Sequence, residues 1–383
     1  MIWTIDPLAL TATGAFALLV AITLGLSPAK HRRPGHALTY GLVIAGTVVG
    51  YLAASPWLLL AGWVITATPF FLPGSERIPA LRTATGLSAV LLAAGLAARA
   101  IGSPALDTAG MGLIVLAALL RQGAVPFHTW VLRAGDTAPL PLLSLVLNAQ
   151  AGAYLLLRTG LAGAGAGTTV IIVIAVAGAI VAALRALTST QPRRTLIFVQ
   201  VSQSAWVLSG ILSRTEEGVT GAILHWWVLA LGMGVLFGVL AALQQRTTEV
   251  ESPSGYLGFG FHAPRLAGLY GLAALAVIGA PGTLGFISTD LLFDGALASS
   301  PWLGAALLAE AAMSAIATAR LFARIFLGRR GADVPAIPEA HRRERWVLTP
   351  AVVLLVVGGV APQLAVDMGT RAVSHILASV LNQ

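Results

Sequence analysis

The chain has 383 residues, of which 57% are hydrophobic and only 10% charged, and its mean hydropathy is +0.86. Soluble domains carry about 25% charged residues, so this composition excludes an ordinary soluble fold and indicates a polytopic membrane protein. Because the sequence contains no cysteine, disulfides, thiolate metal sites and cysteine nucleophiles are excluded. The net charge of +8 is interpreted by location, since basic residues in a membrane protein report its topology first.

Apolar runs predict about twelve membrane helices, because roughly 20 residues cross a bilayer. The first run, 8–26, is followed by basic residues and by no small-residue cleavage site, so we expect it to remain as a helix. The fifth and tenth runs are too long for one span and are interrupted at 123–126 and at 279–282, which predicts two discontinuous helices. In chain order the predicted helices cover 7–26, 36–54, 56–72, 82–100, 106–134, 138–158, 168–187, 195–213, 217–244, 265–297, 301–327 and 345–363.

The cationic residues of the predicted loops are distributed unevenly. By the positive-inside rule, the loops after odd-numbered helices are expected on the cytoplasmic side and both termini on the outer side. The odd-to-even loops hold Lys30, Arg32, Arg33, Arg77, Arg82, Arg133, Arg193, Arg194, Arg246, Arg265, Arg329, Arg330, Arg342, Arg343 and Arg345, and the opposite side holds Arg99, Arg158, Arg214 and Arg371. Arg185, Arg320 and Arg324 lie near helix ends and are interpreted as snorkelling to the interface, whereas Arg121 precedes the first break.

Residues 121–158 place an arginine, a proline and a histidine inside a strongly apolar region. A charge at the bilayer centre costs about 2.5–3.5 kcal/mol on insertion scales, so it is kept where it faces a partner, a cavity or a transported ion. Two broken helices in corresponding positions of two halves indicate a transporter built from repeats. Motifs for a phosphate loop, a His-Glu metal site or a serine elbow are missing from the sequence, which predicts no catalytic site, cofactor or metal. We interpret the glycine-rich stretch 160–167 as a flexible outer loop.

Five motifs then follow one another in an order that resembles the proton-conducting antiporter-like membrane subunits. This family occurs in respiratory complex I, multisubunit sodium/proton antiporters, membrane-bound hydrogenases and bicarbonate-uptake complexes. The resemblance covers roughly residues 56–330. The motifs are VPFHTW at 125–130 with APLP at 138–141 and GAYLLLR at 152–158, QPRRTLIFVQVSQSAWVLSGI at 191–211, AILHWW at 222–227, IGAPGTLGFISTDLLF at 278–293 and ARLFARIFLG at 319–328.

The resemblance implies an all-α fold with two inverted five-helix bundles, each with a discontinuous helix, joined at the centre by charged residues and water. It divides the chain into N-terminal membrane helices (1–55), a first bundle (56–160), a second bundle (161–330), and a C-terminal helix with an amphipathic tail (331–383). The tail carries Leu364, Met368, Val373 and Leu377 and is expected on the outer surface or on a partner helix. The family has two or three more helices at its N-terminus, so the chain is expected to be shortened there.

Several positions depart from the proton relay that the resemblance implies. The family's lysine before the first break is matched by Arg121, and Asp290 stands beside the last relay position. Arginine holds its proton because its pKa lies above about 12, so Arg121 is expected to be a fixed charge that gates, orients water, or anchors Asp136 or an anion. The other relay positions fall on Val64, Asn148, Leu229, Met233 and Thr289.

The residues that remain as an ion pathway each have a simpler interpretation. The pathway candidates are Arg121, His128, His225, Asp290 and Glu310, and the helix-break residues are Gly123, Pro126, Pro281 and Gly282. His128 would hydrogen-bond carbonyls at the break, His225 would pack beside tryptophans, and Asp290 would cap a helix N-terminus. Asp294, one turn from Asp290, would lie at the outer interface. Glu310 lies in the middle of a predicted helix and is expected to pair with an internal polar group or a partner subunit.

Three functions remain open on this basis. The first is a subunit of a complex I-like or antiporter-like assembly that couples proton or cation movement to a partner's reaction, such as quinone or hydrogenase chemistry or inorganic-carbon uptake. The second is a relative that no longer conducts and serves as a membrane platform for a soluble catalytic partner. The third is a stand-alone transporter in which Arg121 binds an anion. The first two predict other membrane subunits as partners, and all three place the chain in the inner membrane of the cell.

Overall fold

The computed structural model describes residues 3–27, 34–72, 78–159, 166–251, 253, 255–328 and 337–381. Within these ranges the chain is helical and forms no sheet beyond a single bridge between Trp3 and Ala53. Residues 160–165 of the glycine-rich stretch and the side chain of Leu377 lie outside the described part. So do six of the loop cations, namely Lys30, Arg32, Arg33, Arg77, Arg329 and Arg330.

Proline begins nine of the seventeen described α-helices, because the first helical N–H has no intrahelical partner and the fixed φ of proline suits that position. The helices are α1 (Pro7–Leu26), α2 (Pro34–Tyr51), α3 (Pro56–Ala67), α4 (Pro79–Ala100), α5 (Pro104–Gln122), α6 (Thr129–Thr137), α7 (Leu140–Asn148), α8 (Ala151–Thr159), α9 (Ala166–Thr188), α10 (Pro192–Ser213), α11 (Glu216–Val228), α12 (Gly234–Gln244), α13 (Pro264–Val277), α14 (Leu284–Ser299), α15 (Pro301–Phe326), α16 (Arg342–Val360) and α17 (Pro362–Leu381).

Eight segments of the described chain are long and apolar enough to cross a membrane, and a ninth is added if the bent pair α16 and α17 forms one span. This confirms an all-helical, multi-pass membrane protein. The count of about twelve spans stays a prediction, because α3 and α13 are shorter apolar helices.

The spans divide into an inner and an outer set. Three segments, α7 with α8, α10, and α11 with α12, are each 94% buried, whereas α4, α5, α9 and α15 are each 39% buried. The inner helix α10 packs against α9, α11, α14 and α15, so it contacts the second half of the second broken helix through α14. A polar side chain on this inner set must find its partners within the protein, because neither water nor lipid reaches it.

Two predicted single helices are interrupted in the structure. The span predicted at 138–158 is divided into α7 and α8 at Ala149 and Gln150. The span predicted at 217–244 contains a π-helical turn at Leu229–Met233, between α11 and α12. Such turns often occur at functional positions of helices. The sequence prediction missed both interruptions, since neither contains proline.

The C-terminal tail packs on this chain's own helices. Helix α17 bends by 91° from α16 and lies against α1 and α11. Ala372 and Val373 are buried in this contact, and Gly369 approaches Thr220 closely. The tail therefore packs on this chain, and its place at the outer surface or on a partner helix stays a prediction.

Candidate functional site: a buried polar axis

The first break lies between α5 and α6. Helix α5 ends at Gln122, Gly123 follows with φ +69°, the Val125–Pro126 peptide is cis, and His128 is the N-cap residue of α6. A Cβ at Gly123 would lie 2.3 Å from Cγ2 of Val131, so only glycine fits both the left-handed backbone and the space.

Arg121 lies at the end of α5 and is 6% exposed. Its Nη2 donates to the hydroxyl of Thr66, and its guanidinium lies 5.3 Å from the centre of the Trp63 ring. Val64, the position expected to match the family's acid, is 47% exposed on the opposite face of α3. Asp136, considered as an anchor for Arg121, pairs instead with Arg194 at 3.2 Å.

The interruption between α7 and α8 joins the two halves through a pair of side-chain amides. Gln150 has φ +51°, is fully buried, and accepts a hydrogen bond from Nε2 of Gln122. Its own Nε2 donates to the hydroxyl of Ser204 on α10, at 3.2 Å. Asn148, at the expected histidine position, donates to Ser144 at 2.9 Å within its own helix. The sequence prediction missed Gln150, an amide two residues before Gly152 in an apolar span.

Close helix packing holds this junction in place. A Cβ at Gly152 would lie 2.3 Å from the carbonyl oxygen of Ala118, so the glycine lets α8 lie against α5. The backbone N–H of Ala153 donates to Oε1 of Gln122 at 3.3 Å. Tyr51 donates its hydroxyl proton to the carbonyl of Ala149, which satisfies an acceptor freed by the break.

Helix α10 carries a run of polar side chains through the buried centre. Gln200 donates to the hydroxyl of Ser204 at 3.0 Å, which continues the amide junction along the helix. Gln203 contacts His225 of α11, and Ser202 contacts Glu310 of α15. One helix therefore connects three clusters, and we name these connected side chains the polar axis.

His225 is buried between two hydrogen-bonding partners. Its Nε2 lies 2.8 Å from Oε1 of Gln203, and its Nδ1 lies 3.0 Å from the hydroxyl of Ser288 on α14. Ser288 also donates to the carbonyl of Gly285 at 2.9 Å. The ring of Trp206 lies 6.4 Å from the imidazole, centre to centre. His225 therefore joins α10 to the second broken helix.

Glu310 is completely buried in α15, and three donors surround its carboxyl group. Ser202 and the indole N–H of Trp206 donate to its two oxygens, and Ser314 donates to Oε1 at 2.7 Å. Ser202 also lies 2.9 Å from the carbonyl of Ala179, a second acceptor for the same hydroxyl. The pairing of Glu310 is thus internal to the chain.

The second break lies between α13 and α14. Gly279 and Gly282 have φ of +75° and +83°, and Pro281 is exposed in the turn between the two helices. Helix α14 begins at Leu284 with Thr283 at its N-cap, so the interpretation of Asp290 as a cap is wrong.

Asp290 and Asp294 lie outside the polar axis. Both are exposed on one face of α14, whereas Ser288 of the same helix turns inward to His225. Thr289 is half-buried, and Leu229 and Met233 are the two ends of the fully buried π-helical turn. His128 is half-buried at the start of α6. The structure therefore joins Glu310 and His225 through α10, and separates Asp290 from them.

Ion pairs at one end of the helices connect α1 to α8. Arg158 donates to both carboxylate oxygens of Asp6, at 2.5 and 2.9 Å, and to the hydroxyl of Tyr154 at 2.7 Å. Burial raises the pKa of Asp6, but the hydrogen bonds from Arg158 and from the N–H of Ala9 outweigh it, so the pKa lies below its ordinary value.

The arginines at the other end bond to carbonyl groups. Arg193 donates to the carbonyls of Gly135 and Ala138 at the end of α6, and Arg320 donates to that of Ser189 at 2.8 Å. Within the described ranges, no group of three or more histidine or carboxylate side chains is placed to hold a metal ion.

Solved structures share this fold. The chain aligns with a chain of respiratory complex I from Thermus thermophilus over 99% of its own length and 86% of that chain, with a TM-score of 0.87 and 22% identity. A chain of the Mrp complex from Dietzia sp. DQ12-45-1b gives a TM-score of 0.80 with 16% identity, over 98% of this chain and 84% of that one. At these identities the likeness concerns the fold.

Curated relatives match by sequence. NADH-quinone oxidoreductase subunit N of Salinispora arenicola is 28% identical over 70% of this chain and 53% of its own length. The subunit N of Saccharopolyspora erythraea is 25% identical over 94% of this chain and 71% of its own length. Subunit M of Mycobacterium tuberculosis is 28% identical over 76% of this chain and 53% of that protein. The chain thus spans between about half and two thirds of the length of most of these relatives.

A family model described as "NADH:quinone oxidoreductase/Mrp antiporter, TM" matches residues 80–314. This range contains both broken helices, α10, and the polar axis with His225 and Glu310. The expected resemblance to antiporter-like membrane subunits is confirmed, and the chain belongs to the NADH:quinone oxidoreductase/Mrp antiporter transmembrane family.

Proposed function

We propose that this chain is a proton-conducting membrane subunit of a multisubunit assembly of the complex I or Mrp antiporter kind, which couples proton movement to a partner's reaction. The observation that carries the proposal is the polar axis. It contains two buried titratable side chains, His225 and Glu310, and each lies against a serine hydroxyl that has a second acceptor. Such hydroxyls let a buried group change protonation without losing its hydrogen bonds.

His225 fits this requirement in two arrangements. When the imidazole is protonated, both ring nitrogens donate, to Oε1 of Gln203 and to the hydroxyl of Ser288, while Ser288 donates to Gly285. When it is neutral, rotation of the Gln203 amide presents an N–H to Nε2, and Nδ1 keeps its proton toward Ser288. The two amide orientations share the same heavy-atom positions. A proton can therefore be held at Nε2 or passed on with only the amide turning.

Glu310 behaves in the same way. As a carboxylate it accepts from Ser202, Trp206 and Ser314. As an acid it donates from Oε1 to Ser202, whose own proton then goes to the carbonyl of Ala179. Buried charge is costly in a membrane unless it is bonded, and both states of Glu310 keep their bonds.

The remaining part of the axis leads toward the first break. From α10 it passes through Ser204 to Gln150 and Gln122, beside Arg121. Amides and hydroxyls both donate and accept, so they relay protons only in concert with water, whereas Arg121 stays protonated. We assign Arg121 the role of a fixed charge that sets the potential in this half. His128, half-buried at the start of α6, is placed to serve as an entry group.

The domain division and topology follow as part of the proposal. Residues 56–160 and 161–330 would form two inverted bundles, each with one broken helix. The end with Arg193, Arg194 and Arg320 would face the cytoplasm across the inner membrane, and both termini would lie outside. Asp290 and Asp294, which are exposed on α14, would face a neighbouring membrane subunit, because charged groups exposed to lipid are unfavourable.

A membrane platform without conduction is the second candidate. This candidate is favoured because side chains that cannot titrate occupy four positions of the family's proton relay. These side chains are Val64, Asn148, Met233 and Thr289. The third candidate, a stand-alone transporter of an anionic solute, has less support. The cavity at Arg121 measures about 10 Å³, which is room for roughly one water molecule and for no organic anion.

Proton flux in liposomes containing the whole assembly tests the proposal. Glu310→Gln keeps the shape and the hydrogen bonds of the side chain but removes its titration, and the flux driven by an imposed pH gradient is expected to fall by about 10²-fold or more. Asp294→Asn, which removes an exposed acid of the neighbouring helix, should conduct like the parent. Equal flux in the parent and in Glu310→Gln would show that protons do not pass through Glu310 and would contradict the proposed path. An assembly without flux that co-purifies with a soluble catalytic subunit would favour the platform.

A further inference from the structure

The guanidinium of Arg121 keeps unused hydrogen-bonding capacity in the buried first half. Its Nε and Nη1 are buried and have no hydrogen-bond partner in the described chain, and Nη2 donates to Thr66. None of the ion pairs among the described residues includes Arg121. Burying a permanent cation at this depth is costly unless a negative charge lies nearby or hydrogen-bond acceptors bind its N–H groups. Two donors and one positive charge therefore remain uncompensated.

A small cavity adjoins this guanidinium. It measures about 10 Å³, close to the room of one water molecule, and lies between α2, α3, α5 and α8. The nearby hydroxyls are already committed as donors: Thr47 donates to Val43, Thr66 to Trp63, and Tyr51 to Ala149. The donors left to a ligand in the cavity are therefore those of Arg121.

We propose that this cavity is a binding site for a single halide ion, chloride in the cell, held by Nε and Nη1 of Arg121. A halide is a single atom and supplies the missing negative charge, whereas a water molecule has no charge and a polyatomic anion is larger still. The guanidinium also lies over the ring of Trp63, at 5.3 Å from its centre, and this contact uses none of its N–H groups.

The halide site adjoins a second cavity. A larger cavity of about 550 Å³ opens at the end of the helices that carries Arg99 and Arg158. Leu59 lines both cavities, so one apolar side chain separates them. The inference goes beyond the proposed function, because halide binding does not require the chain to conduct protons.

Two glycines of α2 provide a matched pair of variants. Gly50 lines the cavity, and a Cβ built there meets no atom within 4 Å, so Gly50→Ala fills the space without a clash. A Cβ at Gly41 also meets no atom within 4 Å, but Gly41 is exposed and lies away from the cavity. Both substitutions add one methyl group to α2, at the cavity in Gly50→Ala and away from it in Gly41→Ala.

The experiment is the thermal unfolding of the purified chain in detergent, with potassium chloride replacing potassium gluconate at constant ionic strength. The unfolding temperature of the parent and of Gly41→Ala should rise with chloride and saturate, by a few °C. The rise should be lost in Gly50→Ala and in Arg121→Gln. Because Trp63 lies beside the site, bromide should also quench part of the tryptophan emission of the parent, and this quenching should saturate. It should be absent in Gly50→Ala. A parent without a chloride-specific rise, or a rise that persists in Gly50→Ala, would show that the cavity holds water and would overturn the proposal.

Discussion

The first and second halves of this membrane chain each contain a broken helix, and the side chains around the two breaks differ. Each break lies at a glycine with positive φ, Gly123 in the first half and Gly279 in the second. At the first break the buried ionisable group is Arg121, a permanent charge with unpaired nitrogens. Near the second, His225 and Glu310 are titratable side chains with hydrogen-bond partners. The chemistry at a broken helix therefore depends on which side chains lie near it.

The largest expected effect comes from the second half. His225→Leu removes the titratable ring and leaves Gln203 and Ser288 facing an apolar group. The free energy of unfolding should fall by about 1–3 kcal/mol for each group that loses its partner. Proton flux should fall on the order of 10²-fold. The measurements are flux in liposomes and unfolding in denaturant. His262→Leu, which alters a half-buried histidine outside the axis, is the control, and an active His225→Leu would leave the difference between the halves unexplained.

The junction between the halves should give an intermediate effect. Gln150→Asn keeps an amide and tolerates the left-handed backbone, but its side chain is one methylene too short to reach Ser204. Gln150→Gly relieves the positive φ and removes the amide. Both should lower flux by about 3- to 10-fold, the cost of one or two hydrogen bonds. Full flux in Gln150→Gly would mean that the backbone bend alone matters and that the halves work separately.

The arginine contacts at the predicted cytoplasmic end should affect stability more than conduction. Arg193→Ala removes the donor to two carbonyls at the end of α6 and should lower the unfolding free energy by about 1–3 kcal/mol. Arg194→Ala breaks an exposed pair with Asp136 and should cost about 0–1 kcal/mol. The two neighbouring arginines are compared by thermal unfolding. Equal losses would show that the α6 carbonyls do not depend on Arg193.

The smallest expected effect is a pH dependence at the opposite end. The folded pKa of Asp6 lies below its ordinary value of about 3.9, because the bonds from Arg158 and Ala9 outweigh its burial. Its contribution to stability is therefore complete above pH ~4 and is lost as the pH falls through the folded pKa, on the order of 1 kcal/mol. Unfolding temperatures of the parent and of Asp6→Asn should converge as the pH falls from about 5 to 3. A constant difference would mean that the Arg158 pair adds no stability.

Several features of the site could be predicted from the sequence. The positions of both breaks followed from glycine and proline within apolar runs, and the family followed from the order of motifs around them. Glu310 was singled out because an acid in the middle of an apolar helix needs a partner. Its partners, Ser202, Trp206 and Ser314, could not be named, because they depend on which faces of α10 and α15 meet.

Other side-chain directions could not be predicted for the same reason. Val64 was compared with a relay acid by its place after Trp63, yet it faces outward, and Trp63 itself contacts Arg121. Asp290 was placed on the ion pathway, but the neighbouring Ser288 is the residue that turns inward on α14. Gln150 was overlooked, since a glutamine without proline beside it gives no break signal. One residue along a helix changes the direction of a side chain by about 100°.

The sequence by itself determined that the chain crosses a membrane, where its two breaks with glycine and proline lie, and which family it resembles, because these follow from hydrophobicity and backbone preferences along one dimension. Only the tertiary structure decided which buried polar groups meet. The rotation of each helix about its axis is set by packing against neighbours distant in sequence, and it brought Gln203, His225 and Ser288 together while it turned Asp290 outward.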